Sequence, residues 1–181
     1  HLLATGHEAK EQVGKGNNSA LAVFFCDISG AFSSVWHAGL IAKLRARNAP
    51  TQLLRWLRAC LGGRRYVVRA GRALSKGHVA RRGLPMGAIL SPLFWNVHFD
   101  DVLKKLTQDK VDPRLHADDL EFSMRTTLDS SEEDARTFVR AGREVKNWCD
   151  KWWLHMSVKK TKGMMFTRKH KNNIMSATLM Q

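Results

Sequence analysis

The stretch "RLHADDLEFSM", residues 114–124, sets two adjacent aspartates into an otherwise strand-like run. Aspartate is poor in strand interiors, and two like charges side by side raise each other's cost of ionising. If residues 114–117 and 120–124 are strands, "ADD" is the tight turn of a hairpin with both carboxylates at its tip. Aspartate tolerates turn geometry, so an exposed turn accounts for the pair when it is taken alone.

Asp27 changes that reading. It ends "LAVFFCD", a run apolar enough for a central strand, and a buried carboxylate without a partner is costly. With the two strands side by side, Asp27 meets Asp118 and Asp119 in a cluster of three carboxylates. Such a cluster is stable only with cations between the charges. Mg²⁺ takes a few carboxylates plus substrate phosphates, and two such ions clamp the attacking and leaving oxygens of phosphoryl transfer.

Composition supplies the substrate class. Lys and Arg number 30 against 16 Asp and Glu, a net charge of +14 and a pI near 10.3. A balance this basic points to a polyanionic partner, most simply nucleic acid; a solvated basic surface is the plainer reading. Together with the carboxylates it makes nucleotidyl transfer the natural reaction. The 181 residues, 44% of them hydrophobic, suit one globular domain with a sizeable core.

Cys26, Cys60 and Cys149 show no C-x-x-C spacing, and the eight histidines show no zinc-ligand spacing. Sparse cysteines suit the reduced thiols of an intracellular protein. The longest clean apolar run, residues 20–26, is far too short to cross a bilayer, so no membrane partner is expected. A chain that starts at His1 without a visible signal peptide reads as a fragment.

Local patterns fill in the rest. "GKGNNS", residues 14–19, reads as a loop, and residues 20–29 as a buried strand ending near Asp27. Helical spacing marks residues 37–47 and 52–61, the second stopping at Gly62-Gly63. Residues 64–83 read as two basic strands around a glycine-containing turn. Residues 88–106 read as a long buried helix with Pro92 in its first turns. A later helix has Ser130 or Ser131 as its N-cap, an acidic first turn, and an apolar stripe of Phe138, Val139, Val145, Trp148, Cys149 and Trp152 that belongs to the core. Helices and hairpins intermixed suggest an α+β fold.

Four ordered motifs then carry a resemblance across residues 21–166. They are "FFCDISGAFSSVWHAGLIAKL", the hairpin followed by "GLPMGAILSPLFW", "LHADD", and "WLHMSVKKTKGMMF". The chain resembles the reverse transcriptase palm, most closely that of non-long-terminal-repeat retrotransposons. The resemblance implies a ferredoxin-like antiparallel sheet backed by helices, with part of the fingers and no thumb. It implies a single partial domain over residues 1–181, with a palm core at about 20–168 and a basic tail at 168–181. It also implies an RNA template, a DNA primer and dNTPs as partners, two Mg²⁺ or Mn²⁺ ions, and a nuclear location. The chain by itself is expected to be inactive.

Residue by residue, the resemblance implies that Asp27 and Asp118 bind both metals and that Asp119 stands beside the primer 3′-hydroxyl. Backbone amides of Ile28, Ser29, Gly30 and Ala31 would contact the incoming triphosphate. Phe32 would lie under the sugar and exclude a 2′-hydroxyl; a plain core Phe is the other reading. Met86 and Gly87 would lie near the nascent pair, where Gly87 permits close backbone approach. Lys160 would assist the leaving pyrophosphate, or be an ordinary surface lysine.

The pattern also has departures. Met86 stands where the family has Gln, His116 where it has Tyr or Phe, Ser33 where it has Asp and Ser157 where it has Asn. None touches the three carboxylates. A catalytically decayed remnant that only binds nucleic acid is therefore an alternative, as is another two-metal enzyme such as a nuclease or an RNA-templated RNA polymerase.

Overall fold

The strand that the aspartate argument requires is β1, Ser19–Ser29, whose residues from Ala20 to Phe24 are all buried. A strand covered on both faces reads as a continuous apolar run rather than an alternating one. The computed structural model describes residues 2–14, 16, 18–108, 111–129, 132–157, 159–167 and 174–175.

In chain order the elements are helix α1 (Leu2–Gly14), β1, the short helix α2 (Ala31–Ser34), and helices α3 (His37–Ala46) and α4 (Thr51–Leu61). Four two-residue strands follow: β2 (Arg65–Tyr66), β3 (Arg69–Ala70), β4 (Ala73–Leu74) and β5 (His78–Val79). Then come α5 (Ser91–Gln108), β6 (Asp112–His116), β7 (Asp119–Thr127), α6 (Glu132–Lys151), β8 (His155–Met156), β9 (Lys162–Thr167) and β10 (Ile174–Met175).

The chain divides into two compact units. The first comprises His1–Ser29, Asp100–Lys151 and His155–Gln181; the second comprises Gly30–Phe99 and Trp152–Leu154.

The first unit is built on a sheet in the order β10-β9-β1-β7-β6, with β8 also pairing β1. Every described pairing in it is antiparallel. Counting β1, β6, β7 and β9 as its four main strands, the order is fourth, first, third, second. That is the split βαβ arrangement of a ferredoxin-like fold, as expected. One face of β1 packs Leu21 and Val23 against Ala9 of α1, with Phe25 and Phe166 alongside. On the other, Phe24 stacks on Phe122 at 4.7 Å, and Phe138 of α6 meets Phe122 edge-on at 5.3 Å.

The second unit buries Leu40, Ile41 and Leu44 of α3, Leu54, Leu57 and Leu61 of α4, and Phe94, Trp95 and Phe99 of α5. Gly62 closes α4 as expected, its N–H donating to the Arg58 carbonyl at 2.9 Å. Ser91 opens α5, its hydroxyl donating to the Pro85 carbonyl at 2.7 Å. Pro92 follows in the first turn, where its missing N–H is not needed.

Some expectations shift. Helix α1 lies where no element was read, and it takes Gly14 from the expected loop while β1 takes Ser19. The two basic strands form one ribbon in two pieces: β2 pairs β5 with Arg65↔Val79, and β3 pairs β4 with Arg69↔Leu74. Two residues, 67–68, face three, 75–77, and the extra residue interrupts the ladder. Helix α6 stops at Lys151, so Trp152 leaves the predicted stripe. Trp153 adopts φ 60, a left-handed conformation that ends helices. Phe138 and Val139 are half-buried, whereas Val145, Trp148 and Cys149 are buried. The acidic first turn is Glu132, Glu133 and Asp134; Ser130 and Ser131 lie outside the described residues. Strand β10 falls in the stretch read as a tail and pairs β9 through Ile174↔Met164. Among the described residues, no helix is long and apolar enough to cross a membrane.

Candidate active site

The carboxylates are placed by strand register. Strands β1 and β7 pair from Ser19↔Thr127 to Asp27↔Asp119, and β6 meets β7 at His116↔Asp119. Ala117 and Asp118 form the two-residue loop between β6 and β7. Ala117 takes φ 53, a left-handed conformation that costs a non-glycine residue and recurs at functional turns. The hairpin expected from "ADD" is present with one change: Asp119 begins the strand, and Asp118 alone of the pair stays in the loop. Asp27 and Asp118 are half-buried and Asp119 is exposed.

A second local structure reaches the same strand end. Strand β8 pairs β1 through Ile28↔Met156 and Ser29↔His155, and the Ser157 N–H donates to the Asp27 carbonyl at 2.8 Å. The Ser157 carbonyl then accepts from the N–H groups of Lys160 at 3.1 Å and Thr161 at 2.9 Å. It also accepts from the Thr161 hydroxyl at 2.8 Å. This tight turn brings the Lys160 ammonium to 3.2 Å from Asp27 Oδ1. The sequence reading named both residues without pairing them. They are 133 positions apart, and the signal for their meeting was only that each sits in a motif.

Beneath the carboxylates, burial pushes the Cys26 thiol up to about 12, with Cys149, Asp27 and Asp119 adding to the rise and a hydrogen bond with Thr161 opposing it. Burial likewise pushes Cys149 up to about 12. All three cysteines are free thiols, and the two buried ones are poor nucleophiles because the thiolate is the reactive form.

Asp27, Asp118 and Asp119 share one strand end without closing into a ligand cage. Among the described residues, no group of three or more His, Cys, Asp or Glu side chains is gathered to hold a metal ion. Like charges repel, and Asp27 takes the Lys160 ammonium as its cation. The donor chemistry suits Mg²⁺ or Mn²⁺, since the three side chains offer hard carboxylate oxygens, and an ion at Asp27 would compete with the Lys160 ammonium for that carboxylate.

The remaining expected residues divide between the units. Ile28 and Ser29 belong to the first and are engaged with β8. In the second, the Gly30 carbonyl accepts from the Ser34 N–H and the Ser33 hydroxyl, each at 2.9 Å. Ala31 is buried. Phe32 is half-buried and stacks on Trp95 with ring centroids 5.6 Å apart. The segment after the ribbon is tied to α2 and its following turn: the Gly83 N–H donates to Val35 O at 2.8 Å and the Leu84 N–H to Phe32 O at 2.7 Å. Met86 is 84% exposed, so no core packing requires Met there. Gly87 takes φ +80 with open space where a Cβ would be.

Comparison with known proteins agrees in kind. The family model described as reverse transcriptase (RNA-dependent DNA polymerase) matches residues 4–178. A probable RNA-directed DNA polymerase from transposon BS of Drosophila melanogaster is 30% identical over 91% of this chain and 19% of its own length. A probable RNA-directed DNA polymerase from transposon X-element of the same species is 29% identical over 81% of this chain and 16% of its own. The RNA-directed DNA polymerase from mobile element jockey of Drosophila funebris is 28% identical over 79% and 16%. The chain thus spans less than a fifth of the length of these relatives. A solved apo telomerase from Candida tropicalis, truncated from its C-terminal domain, superposes with a TM-score of 0.62 at 11% identity, over 93% of this chain and 35% of that one. At that identity the likeness shows the fold.

Proposed function

Because the chain belongs to the reverse transcriptase (RNA-dependent DNA polymerase) family, we propose that it forms the carboxylate-bearing part of a retrotransposon polymerase that adds dNTPs to a DNA primer on an RNA template. The observation that carries this reading is the Asp27↔Asp119 register, with Asp118 in the adjoining loop. Asp27, Asp118 and Asp119 would hold two Mg²⁺ or Mn²⁺ ions, which when bound neutralise charge on the reacting phosphates.

The protein's own groups supply the rest. Half-burial of Asp27 at its strand end and of Asp118 in its two-residue loop restrains both carboxylates. Lys160 offers a proton or a positive charge to a departing pyrophosphate while restraining Asp27. The amides of Ile28 to Ala31 orient the triphosphate. Phe32 discriminates against a ribose 2′-hydroxyl, and Met86 with Gly87 faces the templating pair. The same reading puts the protein in the nucleus, which imaging of a tagged chain tests.

The decisive experiment transplants residues 1–181 into a longer relative in place of its matching segment and measures extension of oligo(dT) on poly(rA). Asp27→Asn or Asp118→Asn should lower extension at least about a thousandfold, about 4 kcal/mol of transition-state stabilisation. Activity within tenfold of the parent chimera removes the assignment. A parent chimera that binds the primer–template but never extends it supports the decayed remnant instead.

In the active chimera, Phe32→Ala should shift the dNTP/rNTP ratio of kcat/KM toward ribonucleotides by roughly tenfold or more. An unchanged ratio returns Phe32 to a packing role against Trp95.

A further inference from the structure

All sixteen acidic residues lie in the first unit; the second holds twelve of the thirty Lys and Arg and no Asp or Glu at all. Within this acid-free unit, helices α3 and α4 enclose a cleft of about 600 Å³ lined by Arg45, Asn48, Thr51, Arg55 and Arg58, with Leu54 among its walls. A smaller cleft of about 280 Å³ shares Arg45 and Arg58 and reaches His37. The three arginines are exposed. None forms an ion pair among the described residues, and none can within its own unit, which has no carboxylate side chain.

We propose that the α3–α4 cleft is a grip for the phosphodiester backbone of a nucleic-acid strand, with Arg45, Arg55 and Arg58 contacting successive phosphates. Three guanidinium groups in one concavity repel one another until an anion enters, and their planar forks match phosphate oxygens bidentately. Asn48 and Thr51 add polar groups at the same wall. The smaller cleft shares Arg45 and Arg58 with the larger, so these guanidinium groups face two concavities and can meet more than one phosphate. A strand of phosphates suits it better than a single small anion. The contacts carry no base reading, so the grip is indifferent to sequence. It goes beyond the polymerase reading, since it requires nucleic-acid binding and no chemistry at the carboxylates.

The test uses the 181-residue chain and a fluorescein-labelled 20-nucleotide RNA, with affinity measured by anisotropy over a range of salt. Arg45→Gln/Arg55→Gln/Arg58→Gln should weaken binding at least tenfold at 0.1 M salt. It should also flatten the slope of log K against log salt by about 2, since each lost phosphate contact removes about 0.7 on a single strand. Arg69→Gln/Arg72→Gln/Lys76→Gln, on the exposed ribbon, removes the same charge and should cost less than a third of that loss. Equal losses in the two variants, or no loss in the first, overturn the grip.

Arginine modification of the parent by phenylglyoxal, mapped by mass spectrometry, stands independently of how the variants fold. Bound RNA should protect Arg45, Arg55 and Arg58 more than Arg69 and Arg72. Absence of that difference overturns the proposal. The grip is read from RNA binding and the polymerase reading from primer extension by the chimera, so failure of one and failure of the other are separable.

Discussion

The two units handle buried charge in opposite ways. In the first, buried Glu121 faces the Arg114 guanidinium at 3.7 Å, and Arg114 also pairs Glu8 of α1 and Asp112. Trp148 Nε1–H donates to Asp101 at 2.9 Å. In the second, buried Lys43 donates to the His98 carbonyl and lies 4.0 Å from the centre of the Trp152 ring. His37 and Arg64 both donate to the Gly83 carbonyl, and Arg82 lies over Trp153 at 4.6 Å. Inside the first unit carboxylates answer these cations; inside the second, which has no Asp or Glu of its own, carbonyls and ring faces do. The contrast bears on the proposed nucleic-acid grip. A carboxylate beside an arginine competes with a phosphate for it, and the second unit carries no such competitor. The first unit holds Asp27, Asp118 and Asp119, the carboxylates of the proposed reaction centre.

The contrast breaks first on removal of a cation from each unit. Arg114→Met leaves Glu121 buried without its guanidinium, a loss of about 3–5 kcal/mol in unfolding free energy. Arg82→Met gives up only the contact of its guanidinium with the Trp153 ring, so it should cost about 1 kcal/mol or less. Urea denaturation of the two variants measures both. Equal large losses would mean that Arg82 depends on a specific partner as strongly as Arg114 does.

A smaller effect sharpens the picture of the second unit, whose cations converge on backbone. Gly83 has φ +85, and a Cβ there would lie 2.5 Å from the Ser33 carbonyl oxygen. Gly83→Ala should cost roughly 2–4 kcal/mol from the clash and the strained backbone together. Gly87 has a similar φ and open surroundings, so Gly87→Ala should cost about 1 kcal/mol. If the two cost the same in denaturation, the Ser33 contact is not tight.

Much of this was legible in the chain. The strand-like run around the two aspartates and the apolar run before Asp27 suggested two strands that could lie side by side, and the register sets Asp27 opposite Asp119. Helices α3, α4 and α5 followed from spacing, Gly62 and Pro92. Helix α1 escaped because its sequence, LLATGHEAKEQVG, has a weak apolar stripe and two glycines. The break in the basic ribbon escaped because a one-residue register change leaves no composition signal. The turn that carries Lys160 to Asp27 depends on the Ser157 carbonyl accepting three hydrogen bonds, a tertiary arrangement without a periodic pattern. The charge contrast between the units was present in the sequence but divided among segments that only the fold assembles.

Divalent ions shared by the three carboxylates at the end of β1 and β7 would show themselves in thermal unfolding with and without Mg²⁺. A site with a millimolar Kd, at tenfold excess of ion, stabilises the fold by ~1.4 kcal/mol. That corresponds to a rise of about 3–6 °C in Tm for a chain of this size. Asp118→Asn should raise the metal-free Tm, since it removes a like charge, and should shrink the rise on adding Mg²⁺ or Mn²⁺. Equal metal-induced shifts in the parent and in Asp118→Asn would contradict the account and leave the hairpin tip as a turn without a metal.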